Sequence, residues 1–326
     1  MTGRVLRTAG MAAVALYAGV WHAAADAQNY PTKPVRIYIG YGPGGAADFA
    51  ARAVGQKFPE LLGQPLIVES RPGAGSTIAI ERVATSPPDG YSLLLIADGG
   101  AVQSALRPSL SYDLERDLAP VSSLASGAFV LAVHPSVPAR DVRELIALAR
   151  VQSGKLNFGS SGTGGAAHLA GELFNLMAKV SIVHVPYKGG AEAAVANASG
   201  QIDLSYPSIP AALPLVQAGK IRALAVTRAK RTSFLPDVPT LHESGLTGYD
   251  YYIWYGVLAP AGVPKDIIAR LNTVIGKIMN TAEMKELFKR QGLEPQTDSP
   301  EQFAAFIHHE LVQYRKLIKA AGIKAE

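Results

Sequence analysis

The 326-residue chain contains no cysteine, which excludes disulfide bonds, thiol nucleophiles and cysteine-ligated metal sites. It also has no H-E-x-x-H motif, so we predict no metal site, and we expect no other cofactor. Charged residues make up 17% and aromatic residues 7% of the sequence, and stability has to come from a hydrophobic core. A chain of this length exceeds the size at which one core keeps growing, which favours two packed lobes.

The sequence also lacks an apolar run long enough to cross a bilayer. Residues 1–27 begin with Arg4 and Arg7, continue with an apolar run at 9–21 and end on Ala-Asp-Ala at Ala27. As a helix, that run would span only about 20 Å of a hydrocarbon core about 30 Å thick. This pattern predicts a secretory signal peptide cleaved after Ala27, rather than a membrane anchor. We therefore expect a soluble, periplasmic mature protein.

Neither sign of charge dominates the chain. The 31 basic and 26 acidic residues give a net charge of +5, and removal of residues 1–27 leaves 29 and 25, or +4. The longest basic cluster is short, at residues 228–231, so the sequence shows no nucleic-acid footprint. A mild positive charge suits anionic ligands.

Short apolar strands alternate with helical stretches along the chain. Residues 35–39 predict a buried strand, 46–62 a helix and 65–69 the next strand, which together make a βαβ unit. A further helix is predicted at 141–152. More strands are predicted at 92–96, 129–133, 155–158, 181–185, 202–206 and 223–226. This alternation predicts α/β lobes with mostly parallel sheets.

A glycine-rich segment occurs twice. Residues 42–50 (GPGGAADFA) and 162–170 (GTGGAAHLA) are identical at six of nine positions, and each follows a predicted strand and opens a predicted helix. A helix start presents unpaired backbone N–H groups and a partial positive charge, and glycine allows a ligand to approach the backbone closely. Two such starts facing one cleft would bind a small mono- or dicarboxylate.

The candidate ligand-binding residues follow from these two segments. Asp48 either contacts the ligand, orients its loop or complements the helix dipole, and His168 occupies the equivalent place in the second segment. His184 is interpreted as a structural histidine, and core packing is favoured for Trp254 over a place in the cleft or hinge. Hydroxyl residues near the loops have turn and cap chemistry as their alternative role. The full set of candidates is Tyr41, Gly44, Gly45, Asp48, Ser160, Ser161, Thr163, Gly164, Gly165, His168 and Tyr206.

Three other classes of protein remain to be weighed. Residues 42–47 satisfy G-x-G-x-x-A and Glu69 ends the next strand, which keeps an exported NAD-dependent oxidoreductase open as an alternative. A secreted hydrolase is the second, although no G-x-S-x-G motif occurs. A structural envelope protein is the third, but it would not need two glycine-rich helix starts.

At these residues the chain resembles the Bug/TctC family of extracytoplasmic receptors for tripartite tricarboxylate transporters. The resemblance runs from residue 30 to about residue 324. Its motifs are YPTKPVR at 30–36, PGGAAD at 43–48, RPGAG at 71–75, PDGY at 88–91, SSGTG at 160–164, HVPYKG at 184–189, LPDVPT at 235–240 and APAG at 259–262.

The resemblance implies a type II periplasmic-binding fold, with a ligand cleft between two α/β lobes. Lobe 1 would comprise residues 28–127 plus 253–326, and lobe 2 residues 128–252. The implied function is capture of a small organic carboxylate, either a di- or tricarboxylate or an aromatic acid, and its delivery to transmembrane transporter subunits. Loops matching residues 44–48 and 160–165 would reach the ligand. We expect a monomer with no catalytic residues.

The sequence departs from the family pattern at three places. Residues 40–43 replace a proline-rich segment, and Arg107 stands where the family has asparagine. Pro207 replaces an acidic residue that often follows the strand at 202–206. Because that carboxylate is missing, we expect a simple organic or aromatic acid rather than an amino acid.

Overall fold

The computed structural model describes residues 30–107 and 109–324. These residues form two α/β lobes, each built on one sheet, with a cleft between them. The predicted α/β class and two-lobed architecture are confirmed. The signal peptide predicted for residues 1–27 lies outside the described residues.

The first lobe contains a six-stranded sheet. Its strands are β1 (Val35–Ile39), β2 (Leu66–Ser70), β3 (Ser92–Ala97), β4 (Leu118–Ala128), β10 (Tyr252–Pro260) and β11 (Leu293–Pro295). Their order across the sheet is β11-β4-β10-β3-β1-β2. β1 pairs in parallel with β2 and β3, whereas β10 pairs antiparallel with β3 and β4, and β11 antiparallel with β4.

The second lobe contains a five-stranded sheet. Its strands are β5 (Val130–Val133), β6 (Asn157–Ser160), β7 (Val183–Pro186), β8 (Leu204–Ser205) and β9 (Arg222–Val226). Their order is β7-β6-β8-β5-β9, with β6 parallel to β7 and β8, and β5 antiparallel to β8 and β9.

The helices pack on the faces of these sheets. In chain order they are α1 (Ala46–Leu62), α2 (Thr77–Ala84), α3 (Asp98–Leu106), α4 (Val142–Val151), α5 (Ala166–Ala178), α6 (Gly190–Ala198), α7 (Ile209–Gln217), α8 (Lys265–Met279), α9 (Ala282–Arg290) and α10 (Pro300–Ala321). A 3-10 turn, Ala74–Ser76, precedes α2.

The prediction of mostly parallel sheets is wrong, because both sheets are mixed. β4 leads almost directly into β5, and the chain returns to the first sheet along β10. β4 and β10 are neighbours in the first sheet and run in opposite directions. They therefore pair antiparallel, from Leu118↔Pro260 to Ala128↔Tyr252. The division of the chain at residues 128 and 252 stays a prediction; β4 ends at Ala128 and β10 begins at Tyr252.

Helix α10 fixes the position of β10. Its N-terminus has a capping box, in which Ser299 and Gln302 satisfy each other's backbone N–H groups. Phe303 then lies so close to Gly256 that a Cβ there would be 2.1 Å from the Phe303 ring, so only glycine fits. Trp254 is 1% exposed and donates from Nε1 to the hydroxyl of Tyr314 at 2.9 Å, which confirms that it packs in the core.

Candidate functional site

A cleft with a volume of about 670 Å³ separates the two lobes. Both lobes line it with segments that follow the carboxyl ends of strands, where ligands bind in open α/β sheets. The lobe 1 lining comes from the segments after β1 and β3 and from the turn before α2. The lobe 2 lining comes from the segments after β6 and β7, and Phe129, Ile253 and Tyr255 complete the cleft.

Four helices begin in this cleft. The residues before their first turns are Gly45 for α1, Ala97 for α3, Gly165 for α5 and Gly189 for α6, and all four line the cavity. None of the four helices has a side-chain cap, whereas Asp141 caps α4 through a hydrogen bond from the Glu144 N–H. Uncapped helix starts leave backbone donors and partial positive charge for an anion.

The two glycine-rich segments fold into matching loops. Gly44 and Gly164 both have positive φ, at 82° and 70°, which favours glycine. The Gly44 N–H donates to Asp48 Oδ2 at 3.1 Å, and the Gly164 N–H donates to His168 Nδ1 at 3.0 Å. In each segment, therefore, the side chain four residues on holds the loop through the same backbone donor.

Asp48 and His168 lie beneath these loops, each 5% exposed, and outside the lining of the cleft. Arg52 donates to Asp48 at 2.9 Å, and this contact holds the pKa of the carboxyl group below its ordinary value. The geometry corresponds to the loop-orienting role considered for Asp48. Direct contact of either side chain with a ligand stays a prediction.

The other candidates fall into two groups. The first group lines the cleft and consists of Tyr41, Gly45, Ser161, Thr163 and Gly165. Ser160 and Tyr206 belong to the second group and are buried at 1% and 3% exposure beneath the second loop, where Tyr206 packs edge-on against Phe158. Gly44 and Gly164 shape the loops through their backbones. For both groups, contact with a ligand remains a prediction.

Ser160 and His184 form a close pair, with Oγ and Nε2 2.6 Å apart. Ser160 Oγ also accepts from the Gly162 N–H at 3.1 Å, and the His184 ring stacks on His168 with centroids 3.7 Å apart. Burial, with a smaller contribution from His168, lowers the pKa of His184 to about 4. An imidazole of so low a pKa is a weak base at neutral pH, so the pair builds the loop rather than activating a nucleophile.

The sequence analysis missed several residues of the cleft. Gln103 on α3 crosses it, because Nε2 donates to the carbonyl oxygens of Thr163 at 3.4 Å and Gly164 at 3.1 Å. Asp98, the first residue of α3, is 3% exposed and also lines the cavity, as does Lys188. The sequence contained one signal for these residues: Asp98 and Gln103 follow β3, and Lys188 follows β7. The segments after β1 and β6 were selected as candidates because they too follow strands.

Among residues 30–107 and 109–324, no group of three or more His, Cys, Asp or Glu side chains is placed to hold a metal ion. Nor does any helix in this part of the chain combine the length and apolar character that a bilayer span requires.

Comparison with known proteins gives a consistent result. The sequence profile of the tripartite tricarboxylate transporter family receptor matches residues 50–323. The protein BugT of Bordetella pertussis is 33% identical over 301 residues, which covers 92% of each chain.

Two solved structures resemble the whole fold. An R. palustris protein solved with adipate has a TM-score of 0.81 at 34% identity, covering 90% of this chain and 99% of that one. The MatC protein of Rhodopseudomonas palustris with bound malate has a TM-score of 0.78 at 29% identity, covering 89% and 100%. With its two lobes, its interlobe cleft and these likenesses, the chain belongs to the tripartite tricarboxylate transporter receptor family of solute-binding proteins.

Proposed function

We propose that this protein captures a small organic carboxylate in the periplasm and delivers it to the transmembrane subunits of a tripartite transporter. The observation that carries the ligand class is the convergence of four uncapped helix starts on one cleft. Each start offers backbone N–H donors and partial positive charge, and Lys188 adds a basic side chain to the lining. An anion between the lobes would interact with both of them and favour their closure.

The dimensions of the cleft agree with a small ligand. Its volume of about 670 Å³ lies within the range of small-molecule sites. Adipate and malate, the acids bound to the two similar structures, are aliphatic dicarboxylates. We therefore place linear dicarboxylates first and aromatic acids second. Pro207 in place of an acidic residue speaks against an amino acid.

Membership of the receptor family supports export and a role in transport. We propose that residues 1–27 direct export and are removed after Ala27, and that the protein acts as a monomer. We also propose that the ligand is released unchanged. The Ser160–His184 pair does not support a hydrolase function. Ser160 Oγ accepts a hydrogen bond from the Gly162 N–H, and His184 is a weak base. The NAD-dependent alternative is disfavoured by a duplicated loop in two lobes.

The direct test expresses the full chain in a bacterium, purifies the exported protein and determines its mass. Removal of residues 1–27 is the expected result. Thermal shift is then measured against adipate, malate, citrate, benzoate, glutamate and NAD. A ligand at 100 times its dissociation constant should add about 2.7 kcal/mol to the free energy of unfolding, or several degrees in Tm.

Chromatography of the bound acid decides between receptor and enzyme. Recovery of the unchanged acid after prolonged incubation is expected. Conversion of the acid, or stabilisation by NAD alone, would contradict the proposed function.

A variant in the cleft tests whether binding is specific. Gly165→Val puts a branched side chain at the start of α5, and its Cβ would lie 2.9 Å from Ser161 Oγ. This variant should abolish the thermal shift. Gly276→Val, at a half-buried position of helix α8 where a Cβ meets no neighbour, is the matched variant.

A further inference from the structure

One end of the cleft contains buried polar atoms without a hydrogen-bond partner. They are the hydroxyl of Tyr41, Oδ2 of Asp98 and Oε1 of Gln103, and all three residues line the cavity. Ser76 and the Gly100 backbone lie near the Tyr41 hydroxyl but outside hydrogen-bond geometry. Buried polar atoms without partners are costly, so their presence in a binding cleft points to a ligand that satisfies them.

Asp98 is the most unusual member of this group. Its side chain is buried, at 3% exposure. Asp98 is the first residue of α3, where its own backbone N–H and that of Gly99 favour the ionised carboxylate. Burial outweighs these contacts and raises the pKa of the carboxyl group to about 8.

Lys188 and Arg107 line the same cavity, but Arg107 Nη1 donates to the Ala74 carbonyl oxygen and neither cation contributes to the pKa of Asp98. The titratable groups that interact with Asp98 carry no positive charge to oppose burial. They are Tyr41 after β1, Tyr251 just before β10, Tyr255 on β10, and Glu310 and Tyr314 on α10. None of them is basic, and the negative charge of Glu310 further favours the protonated form of Asp98. Ionisation of Asp98 would therefore leave a buried carboxylate without a cation.

Tyr41 and Asp98 belong to the same corner of the cleft. The Tyr41 hydroxyl lies beside Gly99, since a Cβ on that glycine would be 3.4 Å away from it. Gln103 Oε1 only accepts hydrogen bonds and cannot bind a carboxylate. Tyr41 and a neutral Asp98 can both donate.

We propose that Asp98 binds the ligand as a neutral carboxylic acid, and that its O–H and the Tyr41 hydroxyl donate to one carboxylate group of the ligand. This inference rests on the proposed function, because it requires a carboxylate ligand. In a cleft formed by four helix N-termini, an ionised Asp98 would repel such a ligand, whereas a protonated one provides a charge-assisted O–H donor. Asp98 is thereby a specificity-determining residue that no motif in the sequence marks.

A ligand ammonium group is the opposite case, because it would require Asp98 to be ionised. The two cases differ in the sign of their pH dependence. Binding of a carboxylate to neutral Asp98 weakens about tenfold for each pH unit above the pKa of the free protein, whereas binding of an ammonium group to ionised Asp98 weakens as the pH falls.

The experiment compares wild type with Asp98→Asn by isothermal titration calorimetry, using adipate and malate between pH 6 and pH 9.5. The amide of Asp98→Asn also donates but does not titrate, so we expect its affinity to be within about threefold of wild type at pH 6 and independent of pH. The ratio of the wild-type affinity to that of Asp98→Asn should then fall about tenfold per unit above pH 8. Asp266→Asn is the control, since Asp266 lies in the first turn of α8 and is exposed.

A second measurement follows the ¹³C chemical shift of the Asp98 carboxyl group without ligand. We expect its titration midpoint near pH 8 and not near pH 4. A midpoint near 4, or an affinity ratio that is constant or rises with pH, would overturn the proposal while leaving the receptor function intact. If neither these two acids nor any other acid of the thermal-shift panel binds wild type at any pH, the proposed function fails as well, and the two failures are thereby distinguished.

Discussion

The two glycine-rich loops share a positive φ at Gly44 and Gly164 but have different surroundings. A Cβ on Gly44 would meet nothing within 4 Å, whereas a Cβ on Gly164 would lie 2.8 Å from both Gln103 Nε2 and Leu106 Cδ2 of the opposite lobe. The first loop is therefore open at Gly44, whereas the second loop contacts helix α3 across the cleft. A repeated motif can give both lobes the same donors while only the second loop carries this contact between lobes.

The acceptors that hold the loops also differ. Asp48 is an ionised group paired with Arg52, whereas His168 stacks on His184 and has Glu172 3.7 Å from its Nε2. Each of them nevertheless accepts from a glycine N–H four residues before it. Each loop therefore requires a side-chain acceptor that reaches the glycine N–H, and either aspartate or histidine supplies it.

The largest effect is expected from Gly164→Ala. The new methyl group would collide with Gln103 and Leu106, and the positive φ adds strain of about 1 kcal/mol. Because the collision should hinder closure of the lobes, the affinity for the tightest-binding acid should fall at least about tenfold, or about 1.4 kcal/mol, in calorimetry.

Gly44→Ala is the matched control for this variant, because it has the same sign of φ but no neighbour to collide with. We expect it to lose no more than about threefold in affinity. Equal losses in both variants would show that the two loops do not differ in their contact with the opposite lobe.

The next effect concerns the anchor of the first loop. Asp48→Ala removes the acceptor of the Gly44 N–H and the partner of Arg52, so the free energy of unfolding at pH 7 should fall by about 1–2 kcal/mol in urea titrations. Asp48→Asn keeps an acceptor and should recover most of this loss, since the Arg52 end of the pair is exposed. If the asparagine variant is as unstable as the alanine variant, charge rather than reach is what the loop requires.

Removal of the contact between lobes should have a moderate effect. Gln103→Leu loses the hydrogen bonds to Thr163 and Gly164, worth about 1 kcal/mol, and should lower the affinity about fivefold. Gln64→Leu is the control, since the Gln64 amide donates to Thr32 within lobe 1. A higher affinity in Gln103→Leu would contradict a stabilising role for the crossing amide.

The smallest expected effect is a difference between the two loops in how their contribution to stability depends on pH. The pKa of His184 is lowered to about 4 in the folded protein, so wild type should lose stability as the pH falls from about 6.5, the unfolded value, to 4. Asp48 has a lowered pKa as well, and its contribution is lost only as the pH falls through that lowered value, below the ordinary range.

His184→Phe should remove the change between pH 6.5 and 4, which we expect to be a few degrees in Tm. Thermal unfolding followed by circular dichroism measures it. A wild-type Tm that does not change over this range would contradict the burial of a neutral His184.

Local patterns predicted the elements around the loops well. Strand β1 matches the predicted 35–39, and α4 lies within the predicted 141–152, because each has a clear apolar period and distinct boundaries. Strand β4 was missed. Its sequence contains Ser122, Ser123 and Ser126, which are buried although serine is typical of turns and surfaces.

The cleft itself could be predicted only in part. The glycine loops carry their signal in sequence, since positive φ and a helix start both leave local marks. Asp98 and Gln103 carry only the weak signal of lying after β3, because their roles depend on where α3 lies relative to the opposite lobe. A tertiary contact of this kind has no period or motif from which to predict it.

Trp254 gives the protein an optical consequence that its packing alone does not suggest. The sequence has two tryptophans, and the other, Trp21, lies in the predicted leader. Once that leader is removed, the protein has a single indole fluorophore. It lies on the strand that returns the chain from the second lobe, hydrogen-bonded to Tyr314 and enclosed edge-on by Phe303 and Phe306. Its emission would report on the packing of β10 against α10, without any attached dye.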